Sequence, residues 1–142
     1  MKEDLSCLLA SDIVGEASKE AIAFGADKVY AVEDTVLKDY QADSYIQVAE
    51  KIVSDVSPRA ILMGQTSMGR DLAPRLAFRL GVGLSTDCLE LSIDPETKLI
   101  LQTRPVYGGN AQATFSCEVM PQIITIRSKA MSPIERDESR KG

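Results

Sequence analysis

Apolar residues in the first part of the chain, up to residue 80, follow two alternating patterns. Short apolar runs predict buried strands, and they occupy residues 5–10, 28–32 and 59–64. Stretches in which apolar residues recur every three or four positions predict amphipathic helices, and they occupy residues 14–24, 43–56 and 69–80. Because strands and helices alternate, this part of the chain predicts an α/β fold built on a mainly parallel sheet.

The ends of the helices are predicted from residues with special backbone preferences. Gly81 directly follows the third helix, where a residue in the left-handed conformation commonly ends a helix. Asp43 or Ser44 is placed to cap the second helix through a side-chain oxygen. Pro74 is best tolerated in a first helical turn, where its missing N–H costs little, so the third helix is predicted to start at about residues 69–71.

After residue 83, β-type runs follow one another without an intervening helix. They occupy residues 84–93, 99–105, 111–117 and 122–127. Consecutive runs of this kind predict antiparallel pairing added to the parallel sheet. The last residues, 128–142, are charged and polar without apolar periodicity, which predicts a disordered linker or tail. The chain is therefore expected to be one domain, residues 5–127, followed by this tail.

Composition removes several classes of function. The net charge of −5 over 142 residues argues against a nucleic-acid or anionic-membrane surface. The chain contains no histidine, which excludes Ser-His and Cys-His catalysis and histidine-ligated zinc, and no metal site is predicted. Its three cysteines, Cys7, Cys88 and Cys117, are far apart in sequence among apolar or β-forming neighbours and are expected to be buried thiols.

The sequence also bears on location. No apolar run approaches the roughly 20 residues that span a bilayer. Glu3 and Asp4 stand where a signal peptide has basic residues. A cytoplasmic location, or the mitochondrial matrix in a eukaryote, is therefore expected.

The junction between the third strand and the third helix combines small, hydroxylic and cationic residues. Such a turn can leave backbone N–H groups free beside the positive end of a helix dipole, where α/β proteins hold anions and nucleotides. The candidate residues are Gly64, Thr66, Ser67, Gly69 and Arg70. Their spacing matches neither Gly-x-Gly-x-x-Gly nor Gly-x4-Gly-Lys-Ser/Thr, so the alternative is a turn with a purely architectural role.

A second candidate site surrounds a Gly-Gly pair between two predicted strands. Arg104, Tyr107 and Asn110 flank this pair. The Gly-Gly-Asn sequence suits positive φ angles, so a tight hairpin turn is the simplest interpretation. Arginine and tyrosine are also enriched among the residues that anchor protein interfaces, which makes these three side chains candidates for contact with a partner.

Taken in sequence order, these motifs resemble the N-terminal domain of the α subunit of electron transfer flavoproteins. The matching segments are residues 26–30, 61–64, 66–77, 83–87, 103–111 and Cys117. The resemblance implies a three-layer α/β/α Rossmann-like sandwich of the adenine nucleotide alpha hydrolase type, with an added antiparallel β-hairpin. It also implies a heterodimer with a β subunit, FAD as cofactor, acyl-CoA dehydrogenase-type donors as in fatty acid β-oxidation, and a quinone oxidoreductase or another acceptor.

In the resembled family, the FAD signature lies in a C-terminal domain that would follow residue 142, and a strand and a helix precede the segment matching Leu5. We therefore expect a fragment that serves as a scaffold and subunit-interaction domain. We expect it to hold no FAD by itself and to have no catalytic residues of its own. In this setting Arg104, Tyr107 and Asn110 become candidates for contact with the β subunit or the flavin region.

Two other functions are left open. A stand-alone adenine-nucleotide-binding module of the universal-stress type would use the loop at residues 64–70, although in the resembled family it is usually the β subunit that holds AMP. An enzyme would need Asp71 or Asp87 as its acid or base. Single carboxylates beside arginines more often form ion pairs than catalytic centres, which favours the non-enzymatic alternatives.

Overall fold

Helices and strands alternate in the first half of the computed structural model, which describes residues 3–141. The strands are β1 Ser6–Ser11, β2 Lys28–Glu33, β3 Ala60–Gly64, β4 Leu84–Cys88, β5 Glu90–Ile93, β6 Ile100–Val106, β7 Ala111–Phe115 and β8 Gln122–Ile126. The helices are α1 Gly15–Ala23, α2 Ala42–Val56 and α3 Ser67–Leu80. Short 3-10 turns lie at Thr35–Leu37 and Tyr107–Gly109.

The chain divides into two compact units. The first unit extends to Ile52 and also includes the residues from Ser132 onward, and the second unit is Val53–Met131. In the first unit, β1 and β2 pair in parallel and α1 connects them. A single apolar side chain in the connection after β2, Leu37, is only 1% exposed. The Tyr45 hydroxyl of α2 donates to the Leu37 carbonyl oxygen at 2.8 Å, which holds this connection in place.

The second unit is built on a parallel sheet whose central strand is β8. The strand order is β3-β8-β4, and both pairs are parallel. Successive residues of β8, Ile123, Ile124 and Thr125, are each no more than 2% exposed. Because successive side chains of a strand point to opposite faces, both faces of β8 are covered. Helix α3 contributes Ala73 and Leu76, which are fully buried.

The run that was predicted as one strand over residues 84–93 is divided between two sheets. β4 belongs to the parallel sheet, whereas β5 pairs with β6 in the antiparallel sheet β5-β6-β7. The break follows Asp87, whose φ is 60°, and the Leu89 N–H then bonds to the Thr103 carbonyl oxygen of β6 at 2.8 Å. The predicted antiparallel addition is confirmed, but the single strand was wrong because the chain bends at Leu89, between the two halves, and the apolar pattern does not show this bend.

Helices α2 and α3 each begin earlier than predicted. α2 begins one residue before Asp43, so Asp43 and Ser44 lie inside its first turn and do not cap it. Thr66 caps α3, because its hydroxyl oxygen accepts the N–H of Gly69 at 3.1 Å. Pro74 consequently lies inside α3, where it cannot donate the N–H of a regular helical turn. Reading the helix start from the proline was wrong because the threonine cap lies further upstream.

The α/β class predicted from the sequence, Rossmann-like with mainly parallel sheets and an antiparallel addition, is confirmed. None of the helices within residues 3–141 has the length and apolar character needed to cross a bilayer. Residues 128–141 contain no helix or strand. From Ser132 onward they belong to the first unit; Gly142 lies outside the described residues, and a linker role for this segment stays a prediction.

Candidate functional site

Polar side chains meet at the carboxyl ends of the three parallel strands of the second unit. The Thr125 hydroxyl of β8 donates to Gln65 Oε1, directly after β3, and accepts the N–H of Asp87 in β4 at 3.1 Å. Arg127, just after β8, binds the Asp87 carboxylate through two nitrogens, with Nε 2.9 Å from Oδ1. We call these four residues, Gln65, Asp87, Thr125 and Arg127, the strand-end network. It joins the ends of β3, β8 and β4 at the edge where open α/β sheets bind ligands.

Asp87 adopts a backbone conformation that is uncommon for residues other than glycine. Its φ is 60°, and the pairing of β4 with β8 shifts register between Ser85 and Cys88. Asp tolerates the left-handed region better than most residues, and such strained positions cost on the order of 1–3 kcal/mol and cluster at functional sites. The Thr125 hydroxyl and the Arg127 guanidinium bind the backbone and side chain of Asp87 and so support this conformation.

Arginine side chains dominate the electrostatic effects on Asp87. The Arg127 guanidinium, through its hydrogen bonds, holds the pKa of the Asp87 carboxyl below its ordinary value, and the charges of Arg104 and Arg70 act in the same direction. Three arginines therefore act electrostatically on one carboxylate, in a chain whose net charge is −5. The carboxylate neutralises Arg127 directly, which leaves Arg70 and Arg104 to make this edge locally cationic.

Arg104 has a hydrogen-bonding capacity that the described part of the chain does not fill. Its side chain reaches from β6 toward β4, where Nη1 lies 3.4 Å from Thr86 Oγ1. Its Nε atom is buried and has no hydrogen-bond partner among residues 3–141. The side chain also lines a cavity of about 230 Å³ together with Ser85, Phe115 and Cys117. A guanidinium that lines a cavity is suited to a carboxylate or another anionic acceptor.

The hairpin tip between β6 and β7 exposes the other two residues predicted for a partner contact. Tyr107 is 84% exposed with φ 52°, and Asn110 is also exposed. Positive φ angles occur at Gly108 and Gly109, as predicted, but Asn110 has φ −74°. Tyr107 takes the left-handed position instead of Asn110, so that part of the prediction was wrong. The tip is solvent-facing, whereas Arg104 is half-buried within the sheet.

The strand-to-helix turn at residues 64–70 is more closed than its composition suggests. Thr66 uses its hydroxyl to accept the Gly69 N–H and its carbonyl to accept the Arg70 N–H at 2.9 Å. A Cβ added to Gly69 would lie 1.9 Å from the carbonyl oxygen of Gly64. The glycine therefore lets α3 approach the end of β3 closely. Ser67 and Arg70 are exposed at this turn, and whether they bind an anion stays a prediction.

The remaining residues singled out in the sequence have structural partners. Asp71 pairs with Arg75 one turn along α3 at 3.1 Å. Like the Asp87 carboxylate, it therefore forms an ion pair with a neighbouring arginine, as expected. Cys88 is fully buried, whereas Cys7 and Cys117 are half-buried. Burial raises the pKa of both the Cys7 and Cys88 thiols above the ordinary value, which makes them poor nucleophiles.

Sequence reasoning missed the strand-end network. The hydrogen bond between Gln65 and Thr125 alone joins residues 60 positions apart, so no local motif contains the network. One feature of the sequence could have predicted this network: polar residues recur directly after buried strands. The carboxyl ends of parallel strands meet at one edge of the sheet, so such residues are expected to lie close together there.

Comparison with known proteins shows which family this chain is similar to. The model of the electron transfer flavoprotein domain matches residues 2–142. The electron transfer flavoprotein subunit alpha of Thermoanaerobacterium thermosaccharolyticum is 42% identical over 140 residues, which cover 98% of this chain and 42% of that protein. The subunit alpha of Bacillus subtilis is 38% identical over 95% of this chain and 41% of that protein. Protein FixB of Azorhizobium caulinodans is 38% identical over 86% of this chain and 33% of that protein. The chain thus spans about two fifths or less of the length of these relatives.

Proposed function

The chain belongs to the electron transfer flavoprotein family, and we propose that it is the scaffold and subunit-interaction domain of an electron transfer flavoprotein alpha subunit. Members of this family are electron carriers. In the proposed role the chain contributes a surface for the beta subunit of a heterodimer and has no catalytic residues of its own. The proposed location is the cytoplasm, or the mitochondrial matrix in a eukaryote.

FAD, the cofactor that the family implies, does not fit the one turn of this chain that would hold its pyrophosphate. Rossmann-like proteins bind that group through free N–H groups at a glycine-rich turn between strand and helix. Here Thr66 takes up the N–H groups of Gly69 and Arg70, so these two groups are not free for a phosphate. We therefore assign FAD to a C-terminal domain of the full-length protein, outside this chain.

The observation that carries the proposal is the half-buried Arg104 guanidinium, which lines a cavity and whose Nη1 lies 3.4 Å from Thr86 Oγ1. The guanidinium also lies in the cationic surroundings of Asp87, which attract a carboxylate or another anionic group. We propose that Arg104 receives such a group from the beta subunit or from the flavin region that the subunit brings.

The hairpin tip supplies the second part of the proposed surface. Tyr107 projects from a turn that contains two glycines with positive φ, and its side chain is 84% exposed. Large, rigid aromatic side chains of this kind frequently anchor interfaces. Asn110 provides exposed amide hydrogen bonds beside it. Together they make a polar and aromatic tip that suits subunit docking.

A rigid platform serves electron transfer by fixing distances. Electrons pass only when the flavin comes close to its donor and then to its acceptor, so a base that does not deform helps to set both approaches. We propose that acyl-CoA dehydrogenase-type flavoenzymes donate the electrons and that a quinone oxidoreductase or another acceptor receives them. The role of this chain in that sequence is to hold the beta subunit, and the electron-carrying group belongs to other parts of the complex.

The test is the association of this chain with the beta subunit of its own organism, measured by isothermal titration calorimetry. Tyr107→Ala and Arg104→Ala should each weaken association at least about tenfold, as expected for interface anchors. Phe78→Ala is the matched control, because Phe78 is 87% exposed on α3 and lies outside the proposed surface. Arg104→Lys keeps the charge but loses the planar donor, so it should recover only part of the affinity.

The possible outcomes separate the proposed surface from its alternative. If Tyr107→Ala and Arg104→Ala bind like the unchanged chain, the proposed surface is wrong. If Phe78→Ala alone weakens association, the docking surface is on α3 instead. Circular dichroism of each variant shows whether the fold is retained, so that a loss of affinity can be assigned to the interface.

A further inference from the structure

Residues 132–140 carry no regular secondary structure, yet they make specific contacts within the first unit. The Asp137 N–H bonds to the carbonyl oxygen of Ala23 at 2.9 Å. The Arg140 guanidinium bonds to the Gly25 carbonyl oxygen at 3.2 Å and pairs with Asp27 at 3.1 Å. The Ile134 side chain lies over Gly25, with Cδ1 2.9 Å from where a Cβ of that residue would be. All of these contacts fall on the turn between α1 and β2.

This turn has the groups that a helix end leaves unsatisfied. The last carbonyl oxygens of a helix have no partner within it, and they form the negative end of its dipole. At the end of α1, the N–H groups of residues 24–26 bond to the carbonyls of Glu20, Ile22 and Ala21. The carbonyls of Ala23 and Gly25 are the ones that residues 132–140 bind. α1 has no basic residue in its last turn, and Arg140 supplies that cation from 115 residues beyond Gly25.

The contacts also reach the start of β1. Asp27 accepts the Leu5 N–H through Oδ2 at 2.9 Å while its Oδ1 faces Arg140. One carboxylate therefore links the first strand with the C-terminal segment. Within that segment, Asp137 Oδ1 accepts both the N–H and the hydroxyl of Ser139, which forms a local turn immediately before Arg140.

We propose that residues 132–140 form a releasable strap that caps the C-terminal end of α1. In the engaged state, the strap holds the chain beyond Met131 on the first unit. In the released state, residues 128–141 become the free linker that their composition predicts. Release is accessible because the ion pair between Arg140 and Asp27 is more than a third exposed on both sides, at 37% for Arg140 and 40% for Asp27. Salt screens such a pair, so ionic strength shifts the balance between the two states.

The amide of Asp137 reports on the strap, because its partner, the Ala23 carbonyl, belongs to α1. Amide hydrogen exchange of the ¹⁵N-labelled chain, followed by NMR, should show this amide exchanging several-fold more slowly than in a synthetic peptide of residues 128–141. Arg140→Ala should raise its exchange rate by up to about fivefold, the range of an exposed ion pair. Raising NaCl from about 0.05 to 0.5 M should accelerate exchange in the unchanged chain and have little effect on Arg140→Ala.

Arg136→Ala is the matched control. Arg136 lies on the same segment, four residues before Arg140, but the structure pairs it with Glu138 at 3.5 Å, so its loss should leave Asp137 exchange unchanged. The strap is wrong if Asp137 exchanges as fast as in the peptide, or if Arg140→Ala has no effect. It is also wrong if the two alanine variants accelerate exchange equally. No partner subunit or flavin enters this test, so its failure would leave the proposed scaffold function standing.

Discussion

Replacing Thr125 with valine tests whether the strand-end network stabilises the second unit. Valine has nearly the shape of threonine and is favoured in strands, so the substitution removes the hydroxyl and changes little else. Thr125 is fully buried. Its hydroxyl bonds both to Gln65 and to the backbone N–H of Asp87. Valine can make neither of these hydrogen bonds.

Two opposing contributions set the expected size of the effect. A buried polar group that loses its partner costs about 1–3 kcal/mol. Since Gln65 and Asp87 are only partly buried, we take the lower end for each, or about 2 kcal/mol together. The methyl group that replaces the hydroxyl returns up to about 0.8 kcal/mol through burial. The free energy of unfolding should therefore fall by about 1–2 kcal/mol, with a drop in melting temperature of roughly 3–8 °C.

Urea unfolding followed by far-UV circular dichroism measures this change. A local measurement accompanies it. Amide hydrogen exchange at Asp87 should accelerate more than exchange at Ile61 in β3, the strand on the other side of β8. Thr114→Val is the matched control. Thr114 lies on β7 with its hydroxyl exposed, 3.0 Å from that of Thr103, and its replacement should stay within about 0.5 kcal/mol of the unchanged chain.

The reasoning is refuted if Thr125→Val unfolds within about 0.5 kcal/mol of the unchanged chain, the range of an ordinary surface substitution. It also fails if the two threonine variants lose equal stability, because the effect would then come from removing a β-strand hydroxyl in general.

Three further predictions concern the same unit. Gly69→Ala should lower the free energy of unfolding by at least about 2 kcal/mol, since its Cβ would meet the Gly64 carbonyl oxygen at 1.9 Å. Gly15→Ala is the control, because a Cβ there meets nothing within 4 Å. In the same urea assay its free energy of unfolding should be unchanged or higher. The stability from the Asp87–Arg127 pair should be complete above the unfolded-state pKa of about 3.9. It should decline as the pH falls through the lowered folded-state pKa, because the unfolded chain binds the proton more readily than the folded chain. The free energy of unfolding of Asp87→Asn should therefore fall less steeply with decreasing pH than that of the unchanged chain. Identical dependence on pH in the two proteins would contradict this. Calorimetric titration with AMP, ADP and ATP should give no binding at the 64–70 turn, whereas stoichiometric binding to one of them would favour the nucleotide-module alternative.

The alternation of helices and strands could be predicted because it depends on local periodicity. The runs ending at Ala10 and Gly64 and the stripe of α2 each encode their own structure in the spacing of apolar side chains. Errors occurred where a single contact overrides that spacing. The hydroxyl of Thr66 starts α3 early despite Pro74, and a bend at Leu89 divides an apparently continuous strand.

The candidate site was only partly predictable for the same reason. Arg104 could be selected by its residue type and its place near a Gly-Gly pair. That its Nε atom is buried without a partner depends on how β6 packs beside β4, and no local pattern carries that information. The cap of α1 by Arg140 is a clearer case, since the tail has the composition of a free linker but binds carbonyls far away in the sequence.

By itself, the sequence determined the α/β class, the absence of histidine-based chemistry and the resemblance to the electron transfer flavoprotein alpha subunit. Only the tertiary structure decided that the last strand, β8, occupies the centre of the parallel sheet. It also decided that Gln65, Asp87, Thr125 and Arg127 meet at the strand ends. Secondary structure follows from side chains a few positions apart, whereas strand order and convergent sites follow from pairing and burial between segments that the sequence keeps tens of residues apart.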